Sequence, residues 1–588
     1  MNLIFADCEV FKEDFLWVFI DPINREETVI VNDRKKFKDF FEKHKNDIFV
    51  GYNFRQYDQY IMKSLLCDLD PKKCNDHIIV KKKQGWEFSK DLFRQIEIRF
   101  FDVMTTFHSL KSLEGFMGSN IKESEVDFTI NRKLTKEEIE ETIIYCRHDV
   151  EQTIQVFLRR KKEFDAHMAM LKTFKLPLSY ISKTKVQLSA AALNAYPRKR
   201  NDEFDLVYPD TLKLNKYKWV KEWYDKPENR NYDSVLECDI AGVPHTFAWG
   251  GLHGARTCYC ETGRFLNVDV ASYYPSLMIR YGFGSRNVSD PKKYEEIYHQ
   301  RLKYKAEENP LQAPLKIVLN GTYGAMKDQY NPLYDPRQAN NVCIGGQLLL
   351  LDLIEKLEPF CDIVQSNTDG ILVKLRDNRE EVENICHEWE TRTGMVLEFS
   401  EFIKVIQRDV NNYLIVPEGD LYDKKGKPRW KAKGAVVKEQ NSLDYDTPII
   451  NEAVVNYFVK EIPVEDTVNG CDELIKFQKI AKVSNKYDYA MYGCTFTTKG
   501  GRRWNGDGIK LTGKTFRVFA SLDKTDGGMF KYANNKKNPQ QFANTSEHSF
   551  FINDDISGMS IPSKLDKQFY IDWANRLIDE FINGKRRK

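Results

Sequence analysis

The sequence of 588 residues has no apolar run near the ~20 residues needed to cross a bilayer, so nothing in it reads as a membrane-spanning helix. Its first residues, MNLIFADCEVF, have no basic start and no small-residue cleavage site, and a secretory leader is not expected. Cysteine is thinly spread, 12 in all, with no C-x-x-C pair. The C-Y-C at 258–260 is spaced too closely for a usual zinc knuckle. Reduced thiols in an intracellular, cytoplasmic protein are the expectation. A surplus of one charge is also missing, since 89 basic and 87 acidic side chains leave a net +2. Any nucleic-acid surface must therefore come from cations gathered on one face. There is no internal repeat and no long low-complexity stretch, which removes solenoids and fibrous proteins.

What is present is core-forming material, 41% apolar and 13% aromatic. At roughly 100–200 residues per domain, about three or four domains are expected. The runs KKGKPRWKAKG (424–434), KGGRRW (499–504) and the terminal KRRK are locally basic, and each reads either as a nucleic-acid contact or as a solvated loop. The first ~180 residues alternate strand-like and helix-like patterns, from LIFADCEVF through WVFI and DIFVGYN into helices. Thr135 and Glu138 form a capping box ahead of a helix near 136–162. Residues 178–240 read as an irregular polar connection. A strand then runs into a helix over 264–280, two helices flank a break at 308–313, and another helix covers 344–358. A last helix is expected near 566–583.

Several carboxylates stand out. Asp7 and Glu9 are two apart on a strand and face one side. They read as an exposed edge or as a pair that needs a cation between them. Asp58 follows a second apolar strand, and Tyr145 and Asp149 are four apart on the capped helix, on one face. The four acids together suit two hard divalent ions, which activate water and stabilise a leaving oxygen. Further on, QSNTDGILV (365–373) reads as a tight turn between apolar arms, with Thr368, Asp369 and Gly370 at its tip. Such residues make ordinary turns, but a tip is also where a carboxylate can meet a ligand.

The combination carries a resemblance. D-x-E at Asp7 and Glu9, N-x-x-x-Y-D at 53–58 and Y-x-x-x-D at 145–149 resemble, in order, the three Exo motifs of DEDD-type 3′–5′ exonucleases. SLKSL (109–113) is similar to a further pattern of that family. DVASYYPS (269–276), KIVLNGTYG (316–324) and SNTDG (366–370) resemble polymerase motifs A, B and C. On these motifs the chain resembles a family B DNA polymerase, of the small bacteriophage type. Four positions depart from the pattern: Val10 for a frequent threonine, Ala248 in Y-x-G-G, Asn411 in K-x-Y, and Asn367 for the first aspartate of motif C.

The resemblance implies a fold of mixed α/β and α+β domains: a ribonuclease H-like exonuclease domain and a right-hand polymerase with palm, fingers and thumb. The implied boundaries are 1–185 for the exonuclease, 186–262 for a connection and the start of the palm, 263–290 for palm, 291–340 for fingers, 341–430 for palm and 431–588 for thumb. Asp269, Asp369 and the carbonyl of Val270 would hold two magnesium ions, with manganese as a substitute. Asp7, Glu9, Asp58 and Asp149 would hold two more, with Tyr145 orienting the attacking water. Arg301, Lys305, Lys316 and Asn320 would grip a triphosphate, Tyr274 would stack under its sugar, and Tyr323 with Gly324 would pack on the new base pair. Asn53, Tyr57, Ser109 and Leu110 would hold a single strand. Gly250, Gly251, Thr368, Tyr413, Lys431 and Lys433 would touch primer or template. The implied partners are primed template DNA, deoxynucleoside triphosphates and replisome proteins, with a monomeric enzyme copying a phage or mobile-element genome in the host cytoplasm. The intervals between motifs A, B and C leave little room for the insertions of protein-primed enzymes, so ordinary primed synthesis is expected. Two alternatives stand beside this: an exonuclease whose polymerase half mainly grips DNA, motivated by Asn367, and a non-catalytic DNA-binding replication factor.

Overall fold

A computed structural model describes residues 1–104, 108–494, 496–498, 502–504, 508–535 and 539–584. Three residues of the KGGRRW run (499–501) and all of KRRK (585–588) lie outside the described residues.

The first sheet comprises β1 (Leu3–Val10), β2 (Phe15–Asp21), β3 (Glu26–Val31), β4 (Ile48–Gly51) and β5 (Phe100–Asp102), in the order β3-β2-β1-β4-β5. β2 is antiparallel to β1 and β3, while β4 runs parallel to β1 and β5 to β4. The sheet is thus mixed, antiparallel on one side of β1 and parallel on the other, in keeping with the α/β expectation for this part of the chain. Side chains on β1 alternate between two cores. Phe5 packs with Leu16, Val18, Val150 and Phe157 on one face. Ile4, Ala6 and Cys8 pack with Trp17, Phe19 and Ile61 on the other. Helix α1 (Asp58–Leu66) covers the second face, α2 (Leu110–Met117) follows β5, and α3 (Lys136–Arg159) covers the first. The capping box of α3 is present: the Thr135 hydroxyl accepts from Glu138 N, and the Glu138 carboxylate accepts from Thr135 N at 2.8 Å.

Residues 178–240 are less irregular than the sequence implies. Helix α4 (Lys185–Ala192) lies there, started by a Thr184–Gln187 capping box of the T-x-x-Q pattern. It packs on a later helix, so burial completes what a short apolar stretch would not hold alone.

A nine-stranded sheet forms the middle of the molecule. Its strands are β6 (Leu236–Ile240), β7 (Val243–Phe247), β8 (His253–Ala255), β9 (Tyr259–Val270), β10 (Cys361–Asn367), β11 (Gly370–Leu375), β12 (Leu397–Asp409), β13 (Asn412–Pro417) and β14 (Lys431–Lys433). The order is β14-β13-β12-β9-β11-β10-β8-β7-β6, antiparallel throughout. After β9 come α5 (Tyr273–Arg280), α6 (Lys292–Ala306), α7 (Gln312–Lys327) and α8 (Pro336–Leu357). α8 begins eight residues before the expected 344 and is buried over nearly its whole length beneath the sheet. Tyr273 of α5 anchors to it, donating to Gly346 O at 2.7 Å. α6 and α7 pack side by side, with Tyr294 donating to Leu319 O at 3.0 Å. α4 meets α7 at Gly321, where a Cβ would lie 2.7 Å from Ser189 Oγ.

The C-terminal part packs α9 (Pro448–Val455), α10 (Val464–Gly470) and α11 (Lys567–Asn583) around one core. A three-stranded sheet of Lys479–Lys482, Thr515–Ala520 and Ser549–Phe551 lies beside it. Among the described residues, no helix is long and apolar enough to cross a membrane, and the described cysteines are all free.

Two candidate carboxylate sites

The first site grows from the alternation of β1. Because Phe5 faces α3, so do Asp7 and Glu9, which extend the same row toward the polar part of that helix. The row ends at Cys146, whose Sγ donates to Asp7 Oδ2 at 3.6 Å. Tyr145 immediately precedes Cys146 on α3, and Asp149 lies one turn beyond Tyr145. Asp58 heads α1, and Cys8 Sγ donates to its Oδ1 at 3.2 Å. Burial pushes the Asp7 carboxyl well above the usual range, with Asp58, Glu9 and Asp149 adding to the effect. Glu9 is raised by burial and by Asp149. Burial takes Asp58 up to about 7. Asp149 also rises by burial, to about 6, although Lys111 pulls it down. Four carboxyls crowded under cover are costly as anions unless cations offset them. An oxygen-rich donor set of this kind fits hard divalent ions, and oxygens of Asp7 and Glu9 lie within 4.8 Å of each other and of Cys146 Sγ.

The expected strand-holding residues ring this site unevenly. Asn53 stands in a left-handed conformation (φ 63°), its N–H held by Asp102 Oδ1 at 3.0 Å. The Tyr57 hydroxyl is already engaged, donating to Asn75 Oδ1 at 2.8 Å. Ser109 is the N-cap of α2, its side chain accepting from Ser112 N, and Leu110 opens the helix. Two residues absent from the sequence reading enter from α2: Lys111, bonded to Asp149, and the buried Glu114. The i, i+3 spacing inside SLKSLEG was the available signal.

The second site grows from strand register. Gly370 pairs across from Asp269, and an ideal Cβ there would lie 2.0 Å from Asp269 Oδ1. Only glycine leaves space for that carboxylate. The β10–β11 hairpin turns through Thr368 (φ 57°) and Asp369. The backbone carbonyl of Asp369 accepts Val270 N–H at 2.7 Å, which ties the turn to the end of β9. Asp269, Asp369 and Val270 thus meet at a cavity of about 360 Å³. Burial, then Asp269, raises the Asp369 carboxyl. Glu398 pairs with Asp269 from the other neighbouring strand and lines the same cavity, a third acid that only register reveals.

The surrounding residues gather as follows. Lys431 Nζ lies 2.7 Å from Asp269 Oδ2, and Lys433 pairs across from Tyr413 on β13. The Asn367 amide points to the Tyr413 hydroxyl at 3.5 Å. Thr368 N donates to Leu252 O at 2.8 Å, and a Cβ on Gly251 would lie 2.8 Å from Thr368 Oγ1, so the Gly250–Gly251 turn abuts the hairpin tip. Arg301 is buried and donates to Ser272 Oγ at 3.0 Å, next to the end of β9. Lys305 reaches Glu398 at 3.6 Å. Lys316, Asn320 and Gly324 are exposed at i, i+4 and i+8 of α7, one face. The Tyr274 and Tyr323 rings lie 4.5 Å apart behind that face.

No family model matches the chain. DNA polymerase 1 of Saccharolobus solfataricus is 24% identical over 208 residues, which are 34% of this chain and 21% of that protein. The match thus spans about a fifth of the curated relative's length. The solved structure of the family B DNA polymerase from the archaeon Pyrobaculum calidifontis overlies 100% of this chain and 78% of its own, at 14% identity and a TM-score of 0.42.

Proposed function

We propose that the chain is a DNA-directed DNA polymerase of the family B type, with a 3′–5′ exonuclease in the same polypeptide. The observation that carries the reading is the meeting of Asp269 and Asp369, far apart in sequence, at the end of β9 and the tip of its neighbouring hairpin. In this reading residues 1–185 are the exonuclease, 186–262 lead into the palm, 291–340 are fingers between the palm segments 263–290 and 341–430, and 431–588 are thumb.

Asp269, Asp369 and the Val270 carbonyl would hold one pair of magnesium or manganese ions, and Asp7, Glu9, Asp58 and Asp149 another. Such ions activate the attacking oxygen and neutralise charge on the leaving group. The chain's own part is positioning. α7 presents Lys316 and Asn320 to a triphosphate, with Arg301 and Lys305 at the adjoining end of α6. Tyr274, backed by Tyr323, floors the sugar pocket. Lys431 and Lys433 face primer phosphates, and Tyr145 orients the water in the first site. The substrates are primed template DNA and deoxynucleoside triphosphates, and the setting is replication of a phage or mobile-element genome by a monomer working with replisome proteins in the host cytoplasm.

A second reading keeps the exonuclease and makes the palm a DNA grip. It is favoured by Asn367, whose amide turns to Tyr413, and by Lys431 on Asp269. Extension of a labelled primer separates the two. Asp369→Ala lowers extension by on the order of 10²–10³-fold and leaves single-strand digestion in place, while Asp7→Ala does the reverse. Equal extension by native protein and Asp369→Ala supports the grip.

A further inference from the structure

α2 takes no part in the four-carboxylate arrangement, yet it delivers two charged side chains to it. The Glu114 side chain has 0% exposure and that of Lys111 12%. The Lys111 ammonium lies 3.1 Å from Glu114 Oε1, is bonded to Asp149 Oδ1, and stands 4.6 Å from the centre of the Tyr145 ring. The second Glu114 oxygen accepts Lys122 N–H at 3.3 Å. His148 Nε2 stands 3.6 Å from Glu114 Oε1. A carboxylate buried as completely as Glu114 is costly unless it is paired. Its partner is the cation that also touches both α3 residues of the first site.

We infer that Lys111 is a positioning residue of the first site: a built-in cation, held by Glu114, that fixes Asp149 and Tyr145 in one geometry. The inference rests on the nuclease reading of that site. Asp149 and Tyr145 are one turn apart on α3, and each has rotamers that would carry it out of line. An ammonium bonded to the carboxylate and stacked on the ring restrains both at once. Glu114 restrains the lysine from below, which a free surface lysine would lack. The arrangement places a fixed positive charge among carboxylates without using any of the remaining oxygens of Asp7 and Glu9.

The test is single-turnover digestion of a 5′-labelled single-stranded oligonucleotide by full-length native protein, Lys111→Met, Lys111→Arg and Asp7→Ala. Oligonucleotide affinity is measured separately by anisotropy in chelator. Thermal unfolding checks that each variant folds, and Glu114→Gln serves as a second route should Lys111→Met fail to. The expected result for Lys111→Met is a maximal single-turnover rate about 100-fold lower, with the half-saturating protein concentration and chelator affinity within about twofold of native. Lys111→Arg, which keeps the cation, recovers at least about tenfold of that loss. Glu114→Gln falls between native and Lys111→Met. Digestion by Lys111→Met at the native rate overturns the inference. So does equal loss in Lys111→Met and Lys111→Arg, which would mean shape and not charge, or lost oligonucleotide affinity, which would make Lys111 a substrate contact. Native-rate digestion by Asp7→Ala sinks the nuclease reading and this inference with it, and is distinguishable because it does not depend on Lys111.

Discussion

Single residues define the demands of both sites. Gly370 is the sharpest case, because its missing side chain is the space in which the Asp269 carboxylate sits. Gly370→Ala forces that carboxylate aside, and a displacement of about 1 Å costs ~10²-fold in rate. Primer extension is expected to fall by about that factor, with single-strand digestion unchanged. In the first site, the raised carboxyls make a statement about pH. Asp58 titrates near about 7 and Asp149 near about 6, against about 4 for an unfolded aspartate. Between those values the native state holds more protons than the unfolded one, so stability falls as pH rises. The contribution is complete below about pH 4 and is lost through the two folded values. In chelator, Asp58→Asn therefore gains on native protein in melting temperature as the pH goes from 5.5 to 8. Added magnesium stabilises native protein more at pH 8 than at pH 6. A difference that is flat across this range would show that Asp58 is not the group held protonated.

At the scale of elements, the readable features are those with local causes. The alternation in LIFADCEV, the capping box at Thr135, and the Asn-Thr-Asp-Gly turn each depend on neighbours within four residues, and each appears where the sequence implies it. Thr135→Ala is expected to cost about 1 kcal/mol, measured by denaturant unfolding. Other elements escaped because their stability is not local. α4 is a short helix whose apolar face has meaning only against α7, and α8 starts eight residues early because its first turns, polar in sequence, are buried against the rest of the fold. The buried Asn340 and Asn341 show why: Asn341 accepts Val207 N–H at 2.9 Å, and Asn340 donates to Glu203 O at 2.9 Å, partners more than a hundred residues away.

For the whole molecule, one arginine joins the ends of the chain. Arg517 is fully buried, and burial lowers its pKa to about 10. It donates to Ser119 O at 2.6 Å, Gly115 O at 3.3 Å and Asp554 O at 2.6 Å, and to Gln478 Oε1 at 2.9 Å. Gln478 in turn donates to Phe116 O at 3.3 Å. α2, which carries Lys111 and Glu114, is thereby clamped at its C-terminal end by the C-terminal sheet. Arg517→Met leaves several buried carbonyls unpaired at about 1–3 kcal/mol each. It is expected to lower stability by roughly 3 kcal/mol or more, and to reduce single-strand digestion more than primer extension. Equal effects on both activities would mean that the clamp serves the fold alone.

By itself the sequence determined which residues carry charge, which segments alternate at strand or helix period, and where caps and turns fall. These follow from side-chain chemistry and from contacts a few residues apart. The first acid group was legible because Asp7 with Glu9 and Tyr145 with Asp149 share faces by local periodicity, and Asp269 and Asp369 were legible through their motifs. Only the tertiary structure decided that Gly370 lies against Asp269, that Glu398 and Lys431 close on the same carboxylate, and that Lys111 bridges Glu114 and Asp149. Those meetings depend on strand register and helix packing between distant segments, and a one-residue slip in a strand would send each side chain to the opposite face.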